Sequence, residues 1–352
     1  MDLPFHPFSE IILQWYSQNK RVLPWRNNKN PYSVWLSEII LQQTRIEQGL
    51  SYYLKFLEAF PKVEDLANAD EDLVMSLWQG LGYYSRARNL HAAAKMVVND
   101  FKGNFPDSYD DLRKLPGVGP YTASAIASIS FQLPHAVVDG NVYRLLSRYF
   151  NISTPIDSGA GVRQFFELAN ELIPHSKPGD FNQAMMDFGS LVCKPANPKC
   201  VNCPLNAGCL GLKSKQVDML PIKRGKTKVS KRYFVYLILK DDNLNTLVRK
   251  RGPKDIWEGL FEFPLIELQT EEEFNHFQDS LDYQEFISHQ KADLLKIHKP
   301  VKHVLSHRHL FVVFAELACR KVKSFSSYEP KKYENLSKIG MPRVITRFLE
   351  NE

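Results

Sequence analysis

Near residue 213 the hydrophobic pattern of this 352-residue chain changes period, and that change decides how many cores it must build. Before it, apolar residues recur at helical spacing in 34–46 (VWLSEIILQQTRI), 71–78, 85–98, 121–131, 141–149 and 162–172, separated by Gly, Pro and Asn. After it, YFVYLILK, NTLVRKR and LFVVFAELA read as strands, accompanied by the polar helices EEEFNHFQ and PRVITRFLE. A helical stripe and a sheet face bury themselves in different layers, so two domains are expected, 1–212 and 231–352. With 44% hydrophobic residues the chain is long enough to fill both cores. The run 213–232, KSKQVDMLPIKRGKTKVSKR, holds eight Lys/Arg against one Asp, and its first part, 213–230, reads as a basic linker, either solvated or in contact with phosphate.

The net charge of +6 and the pI of about 8.9 suit a polyanionic partner. The opening MDLPFHPFSEIILQWY lacks a basic segment followed by an apolar core, so no secretion signal is expected. The longest uncharged stretch, Leu115 to Val138, is broken by three prolines and two glycines and is no membrane span. A soluble, intracellular protein follows as the expectation.

Three features carry chemistry. The first is LPGVGPYTA, residues 115–123. Glycines 117 and 119 allow a tight turn and leave its N–H groups unshielded, just where a helix begins at Pro120. The partial positive charge of that helix start would hold a phosphate without a basic side chain. Read alone, the motif is also compatible with a plain helix–turn–helix corner.

The second feature is a pair of carboxylates. Glu38, in VWLSEIILQQT, sits on a strongly apolar helix, where desolvation should raise its pKa and keep a proton available near neutral pH. Asp139, in VVDGNVYRLLSR, stands where a helix starts, so helix N–H groups should favour its charged form. Two carboxyls with pKa values pushed apart make an acid/anion pair, although read alone Asp139 would also pass as a helix N-cap and Glu38 as an exposed helix residue.

The third is CKPANPKCVNCPLNAGC, in which Cys193, Cys200, Cys203 and Cys209 are spaced C-x6-C-x2-C-x5-C. Such crowding without a secretion signal argues for a metal centre over disulfides, and four thiolates suit either an iron–sulfur cluster or zinc. Cys319 lies in an apolar strand and reads as a buried core thiol.

Together, LPGVGPYTA, the loop ending in VVDGN and the cysteine spacing resemble the adenine DNA glycosylases of the endonuclease III-like, helix-hairpin-helix superfamily. The resemblance implies a multidomain fold: an all-α helix-hairpin-helix glycosylase domain with a [4Fe–4S] loop, then an α+β Nudix-like domain. It implies removal of adenine mispaired with 8-oxoguanine or G in double-stranded DNA, by a monomer in the bacterial cytoplasm or in a eukaryotic nucleus or mitochondrion. Bifunctional members carry a lysine where this chain has Tyr121, and a phenol cannot form an imine with the sugar. A monofunctional enzyme is therefore implied.

By the same resemblance Glu38 is the general acid, protonating adenine at N7 and later activating water. Asp139 stabilises or bonds to C1′, Tyr121 hydrogen-bonds near it, and Asn141 positions water and sugar. Trp25 and Arg26 of LPWR wall the base pocket. Gln43 and Tyr83 fill the gap left by the extruded base, with Thr44 and Leu81 beside them. Gly117, Val118 and Gly119 hold phosphate. The [4Fe–4S] cluster, bound by the four cysteines, folds a loop that carries Lys194 and Lys199 towards DNA. VRKRGPKDIWEGLFEFP resembles the Nudix strand–loop–strand, without the glutamate-rich metal-binding helix of the hydrolases. The family's Phe-Ser-His loop, which reads 8-oxoguanine, corresponds here to Ser306 and His307, with Leu305 in place of the aromatic.

Overall fold

The computed structural model describes residues 6–225, 229–305 and 308–350. The chain divides into two compact units, one of residues 1–68 with 89–225 and one of residues 69–88 with 226–352. Ser306 and His307 lie outside the described residues.

The first unit is helical. Pro31–Leu41 buries eight of its residues, among them Tyr32, Val34, Trp35, Leu36, Ile39 and Ile40. A helix apolar on nearly every side must lie inside the protein, and this one packs against Pro120–Phe131. The small residues of Pro120–Phe131, Ala123, Ser124, Ala125, Ala127 and Ser128, are all buried and let neighbouring backbones come close. A second core joins Phe8, Ile12 and Tyr16 of Pro7–Asn19 to Val142 and Leu146 of Gly140–Tyr149 and to Phe181 and Phe188 of Pro178–Leu191.

The sequence pattern carries the helix at 34 through to residue 46, but the helix ends at Leu41. The N–H of Thr44 closes a turn on the Leu41 carbonyl, Gln43 takes a left-handed backbone (φ 56°), and a new helix, Ile46–Ala59, begins. Apolar periodicity runs across this turn because both flanking helices bury a face, and it conceals the break.

In the second unit, strands β1 (Ser230–Asp241), β2 (Asn245–Lys250), β3 (Phe261–Glu262), β4 (Leu265–Leu268), β5 (Asp293–Ile297), β6 (Val301–Leu305), β7 (Arg308–Cys319) and β8 (Glu329–Lys332) form two sheets. The larger runs β4-β1-β7-β5 with β6 also paired to β7, and the smaller runs β3-β2-β8. β1 and β7 are parallel from Ser230↔Arg308 to Asp241↔Cys319. A parallel central pair is covered on both faces, which explains the unbroken apolar run of β1. Tyr233, Val235, Leu237 and Leu239 pack with Phe274 and Phe286 of helices Glu271–Asn275 and Leu281–Gln290. Phe234, Tyr236 and Ile238 pack with Val344 and Ile345 of Arg343–Leu349. Cys319 is buried in β7. Glu273 is engaged in a capping box with Thr270 at the start of its own helix. No helix among the described residues is long and apolar enough to cross a membrane.

The turn at 115–119 is held by the Val118 N–H bonding to the Leu115 carbonyl. Gly117 has φ +75°, and a Cβ there would come within 2.7 Å of Asn89 Cβ. Gly119 has an ordinary φ of −78° and open space around it. Gly117→Ala should therefore lose roughly 1–3 kcal/mol in denaturant melts. Gly119→Ala should stay within about 0.5 kcal/mol of the parent, so weakened duplex binding in that variant would isolate close approach of phosphate to the turn.

Candidate active site

A cavity of about 400 Å3 opens between the turn after Pro31–Leu41, the start of Gly140–Tyr149 and the helices Pro120–Phe131 and Pro178–Leu191. Of the residues singled out in the sequence, Trp25, Arg26, Glu38, Gln43, Thr44, Tyr121, Asp139 and Asn141 all line it. Residues separated by about a hundred positions in the chain thus meet in one place.

Glu38 is half-buried at the cavity wall. Burial pushes its carboxyl up to about 7; a hydrogen bond from Tyr121 works against the rise, the charge of Asp139 adds to it, and Arg26 opposes it. The Tyr121 hydroxyl, besides facing Glu38, lies 3.1 Å from Met186 Sδ. Burial, together with the negative charges of Glu38 and Asp139, keeps this phenol protonated.

Asp139 caps its helix. One carboxylate oxygen accepts from the N–H groups of Asn141 (2.9 Å) and Val142 (2.8 Å), and the other accepts from Asn141 Nδ2 (2.8 Å). Asn141 is held in turn: Arg144 Nη2 donates to its Oδ1 (2.9 Å) and to the Gly189 carbonyl (2.6 Å), while Arg144 Nε donates to the Cys193 carbonyl (2.7 Å). Helix Pro178–Leu191 comes this close because residue 189 is glycine; a Cβ there would meet Asn141 Cβ at 2.8 Å.

Arg144 was not picked out by its sequence context, nor were Arg21, Gln183, Met186 and Asp187. Asp187 is fully buried and receives both Arg21 and Arg26, the latter at 2.7 and 3.0 Å. Burial would raise its pKa, but the two guanidiniums hold the carboxylate below its ordinary range. Trp25 packs edge-on against Tyr53 at 5.1 Å, which fixes the opposite wall.

The residues assigned to gap filling share an unusual backbone. Gln43 has φ 56° and Tyr83 φ 48°, a region that costs a non-glycine residue energy and recurs at functional sites. In the 69–88 segment the turn is tied down by Trp78 Nε1 donating to the Gly82 carbonyl (3.0 Å) and by Arg86 donating to Gly82 (3.2 Å). The Tyr83 ring remains 46% exposed, whereas Leu81 is 8% exposed and packs inward.

Behind Asp139, the same helix supports the cysteine loop. Arg148 donates to the carbonyls of Lys194 (2.7 Å) and Pro195 (3.2 Å) and to Cys193 Sγ (3.6 Å). Cys193, Cys200, Cys203 and Cys209 line one small apolar cavity of about 30 Å3 with Leu145, Phe188 and Val192. Among the described residues no three such ligands close around a single metal ion. Burial, and then the neighbouring cysteines, push Cys203 up to about 11. Thiols that oppose one another's ionisation in this way are ionised together only around a positive centre. Lys199 is exposed on this loop and Lys194 half-buried.

Residues 36–171 match the model for the HhH-GPD superfamily base excision DNA repair protein, and residues 234–351 match the NUDIX domain. Over 347 residues the chain is 35% identical to the adenine DNA glycosylase of Buchnera aphidicola subsp. Baizongia pistaciae, covering 97% of this chain and 95% of that protein. The corresponding protein of Buchnera aphidicola subsp. Acyrthosiphon pisum is 33% identical over 98% of this chain and 97% of its own length. The chain belongs to the adenine DNA glycosylase family. This family member is a DNA glycosylase of base excision repair, with an endonuclease III-like helical region followed by a Nudix-like domain. Its helical part is similar to a thermostable thymine-DNA glycosylase (TM-score 0.55, 31% identity, 59% of this chain and 95% of that one). An endonuclease III–DNA complex shares the fold (TM-score 0.51, 22% identity, 59% of this chain and 94% of that one).

The raised pKa of Glu38 fixes a sign. Folded Glu38 keeps a proton that the unfolded chain releases above about 4.5, so this group costs stability as pH rises from 4.5 to about 7, and the cost persists above that. Glu38→Gln should then be more stable than the parent at pH 8, by on the order of 3 kcal/mol at most, and the gap should shrink towards pH 5. Melting temperatures at the two pH values check this; an equal gap at both would overturn the assignment of the raised pKa to this residue.

Proposed function

We propose that this glycosylase hydrolyses the N-glycosidic bond of adenine opposite 8-oxoguanine or G, without strand cleavage. The observation that carries the reading is the shared cavity, in which a carboxyl raised to about 7 faces a carboxylate held by three donors. Glu38 donates its proton to N7 of the extruded adenine, which turns the base into a leaving group. Asp139 lies across the cavity to stabilise the positive charge that develops at C1′. Asn141, fixed by Arg144, holds Asp139 in place and orients the water that Glu38, now ionised, activates. Tyr121 keeps its proton and hydrogen-bonds Glu38; it offers no amine for an imine.

Extrusion costs a few kcal/mol, offset by filling the vacated space. Gln43 and Tyr83 take that role from their strained turns, Thr44 and Leu81 support them, and Trp25 and Arg26 wall the base pocket. The turn of Gly117, Val118 and Gly119 receives a backbone phosphate at the uncapped start of Pro120–Phe131. The preference for 8-oxoguanine rests on the resemblance of the loop after Leu305, where Ser306 and His307 supply the polar contacts.

Cys193, Cys200, Cys203 and Cys209 would hold a [4Fe–4S] cluster, which supplies a positive centre that lets four thiolates coexist and so folds the loop bearing Lys194 and Lys199. Purified protein should carry iron and acid-labile sulfide; zinc in their place would overturn this part.

Single-turnover assays on duplexes with A opposite 8-oxoguanine, G or T should release adenine chiefly from the first two. Equal release from all three would remove the mispair assignment. Glu38→Gln and Asp139→Asn should bind the duplex normally while losing roughly 10²–10⁴ in excision rate. Borohydride should trap no covalent adduct; a trapped imine would point to a lyase.

A further inference from the structure

Between the end of Pro120–Phe131 and the start of Gly140–Tyr149 the chain crosses residues 132–138 without forming helix or strand. Ala136 and Val137 are each only 1% exposed, and a buried backbone outside regular structure must find partners for its polar groups elsewhere. The Leu133 N–H bonds to the Ala127 carbonyl (3.0 Å) and the His135 N–H to the Leu133 carbonyl (2.8 Å). The next two donors leave the main chain. The Ala136 N–H donates to Asn170 Oδ1 (3.1 Å) and the Val137 N–H to Asn182 Oδ1 (3.0 Å).

Asn182 also donates. Fully enclosed on Pro178–Leu191, its Nδ2 reaches the His135 carbonyl and Ser128 Oγ of Pro120–Phe131, each at 2.8 Å. The partners set which end of the amide is oxygen, since the Val137 N–H can only donate and the His135 carbonyl can only accept. The two helices come close enough for this because residue 179 is glycine: a Cβ there would meet the Ser128 carbonyl oxygen at 2.7 Å. One amide therefore joins the helix that carries Tyr121, the helix that carries Gln183 and Met186, and the stretch that leads into Asp139. Those four residues all line the cavity.

The cap bonds of Asp139 reach forward along the chain, to Asn141 and Val142. Arg144 secures that side through Asn141. The side before Asp139 is secured from Asn182, through a backbone only two residues away. We propose that Asn182 is a positioning residue for Asp139, fixing the backbone of His135 and Val137 so that the carboxylate keeps its place in the cavity it shares with Glu38. The proposal rests on the reading of Asp139 as the anion that stabilises C1′. Loss of the amide's bonds slows the chemical step, where a displacement of about 1 Å is enough to cost on the order of 10²-fold. Duplex binding is spared, because a side chain sealed from solvent touches no DNA.

The test uses the full-length protein in single-turnover excision from a duplex with A opposite 8-oxoguanine, a rate constant that does not depend on the folded fraction. Kd is measured on the same duplex with a 2′-fluoro adenosine that is not cleaved. Asn182→Leu, similar in volume and unable to bond, should excise about tenfold to a hundredfold more slowly, with Kd within about twofold of the parent. Asn182→Ser admits water to the freed groups but ties them to no helix; it should also be slowed, and it stands in where the leucine variant fails to fold. Ser128→Ala removes only the bond between the helices, so it should lower the melting temperature yet excise within about twofold of the parent. The parent's rate constant in Asn182→Leu, or in Asn182→Ser if the former does not fold, would overturn the proposal. So would an equal slowing in Ser128→Ala, which would show general loosening of the two helices. Asp139→Asn is measured alongside. If it excises like the parent, the reading of Asp139 itself fails, whereas an inactive Asp139→Asn beside unimpaired Asn182 variants removes this inference alone.

Discussion

Arg144 spends its guanidinium entirely inside the protein, and the geometry of the active site depends on how it does so. A buried arginine is costly unless every donor is satisfied. Here the acceptors are the carbonyls of Gly140, Gly189 and Cys193 and the amide oxygen of Asn141. One side chain therefore ties together the helix that begins at Asp139, the end of Pro178–Leu191 and the first residue of the cysteine loop. Because Asn141 passes the constraint on to Asp139, the carboxylate cannot turn without disturbing the loop behind it. Whatever rigidity the cysteine loop gains is transmitted to Asp139 through three hydrogen bonds.

Glu38 and Asp139 show how one cavity keeps two like groups chemically distinct. Both are carboxyls, both line the same space, and the charge of Asp139 raises the cost of charging Glu38. Asp139 sits at a helix start, where three donors converge on its oxygens. Glu38 emerges from the middle of a helix that is apolar on nearly every side, where the backbone donors are already used. The difference in surroundings between the two carboxyls thus follows from where each residue stands on its helix.

That part of the site was legible in the sequence. An acid in VWLSEIILQQT and an aspartate just before a helical run announce their environments locally, as does a tyrosine ahead of Thr-Ala. The supporting residues were not legible, because their partners are remote. Asp187 meets Arg21 and Arg26 across more than 160 positions, and nothing in MMDFG marks its aspartate as buried. Arg144 looks like an ordinary polar residue of an amphipathic helix until the cysteine loop folds over it. In the second unit, β1 and β7 are apolar enough to stand out, whereas β5 is exposed along its whole length and is defined only by pairing with β7. The helix end at Leu41 was hidden for the opposite reason, since the apolar period continues through the turn that displays Gln43.

Of the two arginines that line the cavity, Arg26 bears on the Glu38 carboxyl, and a nearby guanidinium favours its ionised form. The influence of Arg26 on Glu38 ranks behind burial, the Tyr121 hydrogen bond and the charge of Asp139. Asp187, fully buried, pairs with both Arg26 and Arg21. The arginines thus line the cavity as hydrogen-bonding walls fixed by that pairing. The carboxylate whose charge keeps the proton on Glu38 is Asp139, in the same cavity, while Asp187 anchors the guanidiniums from outside it.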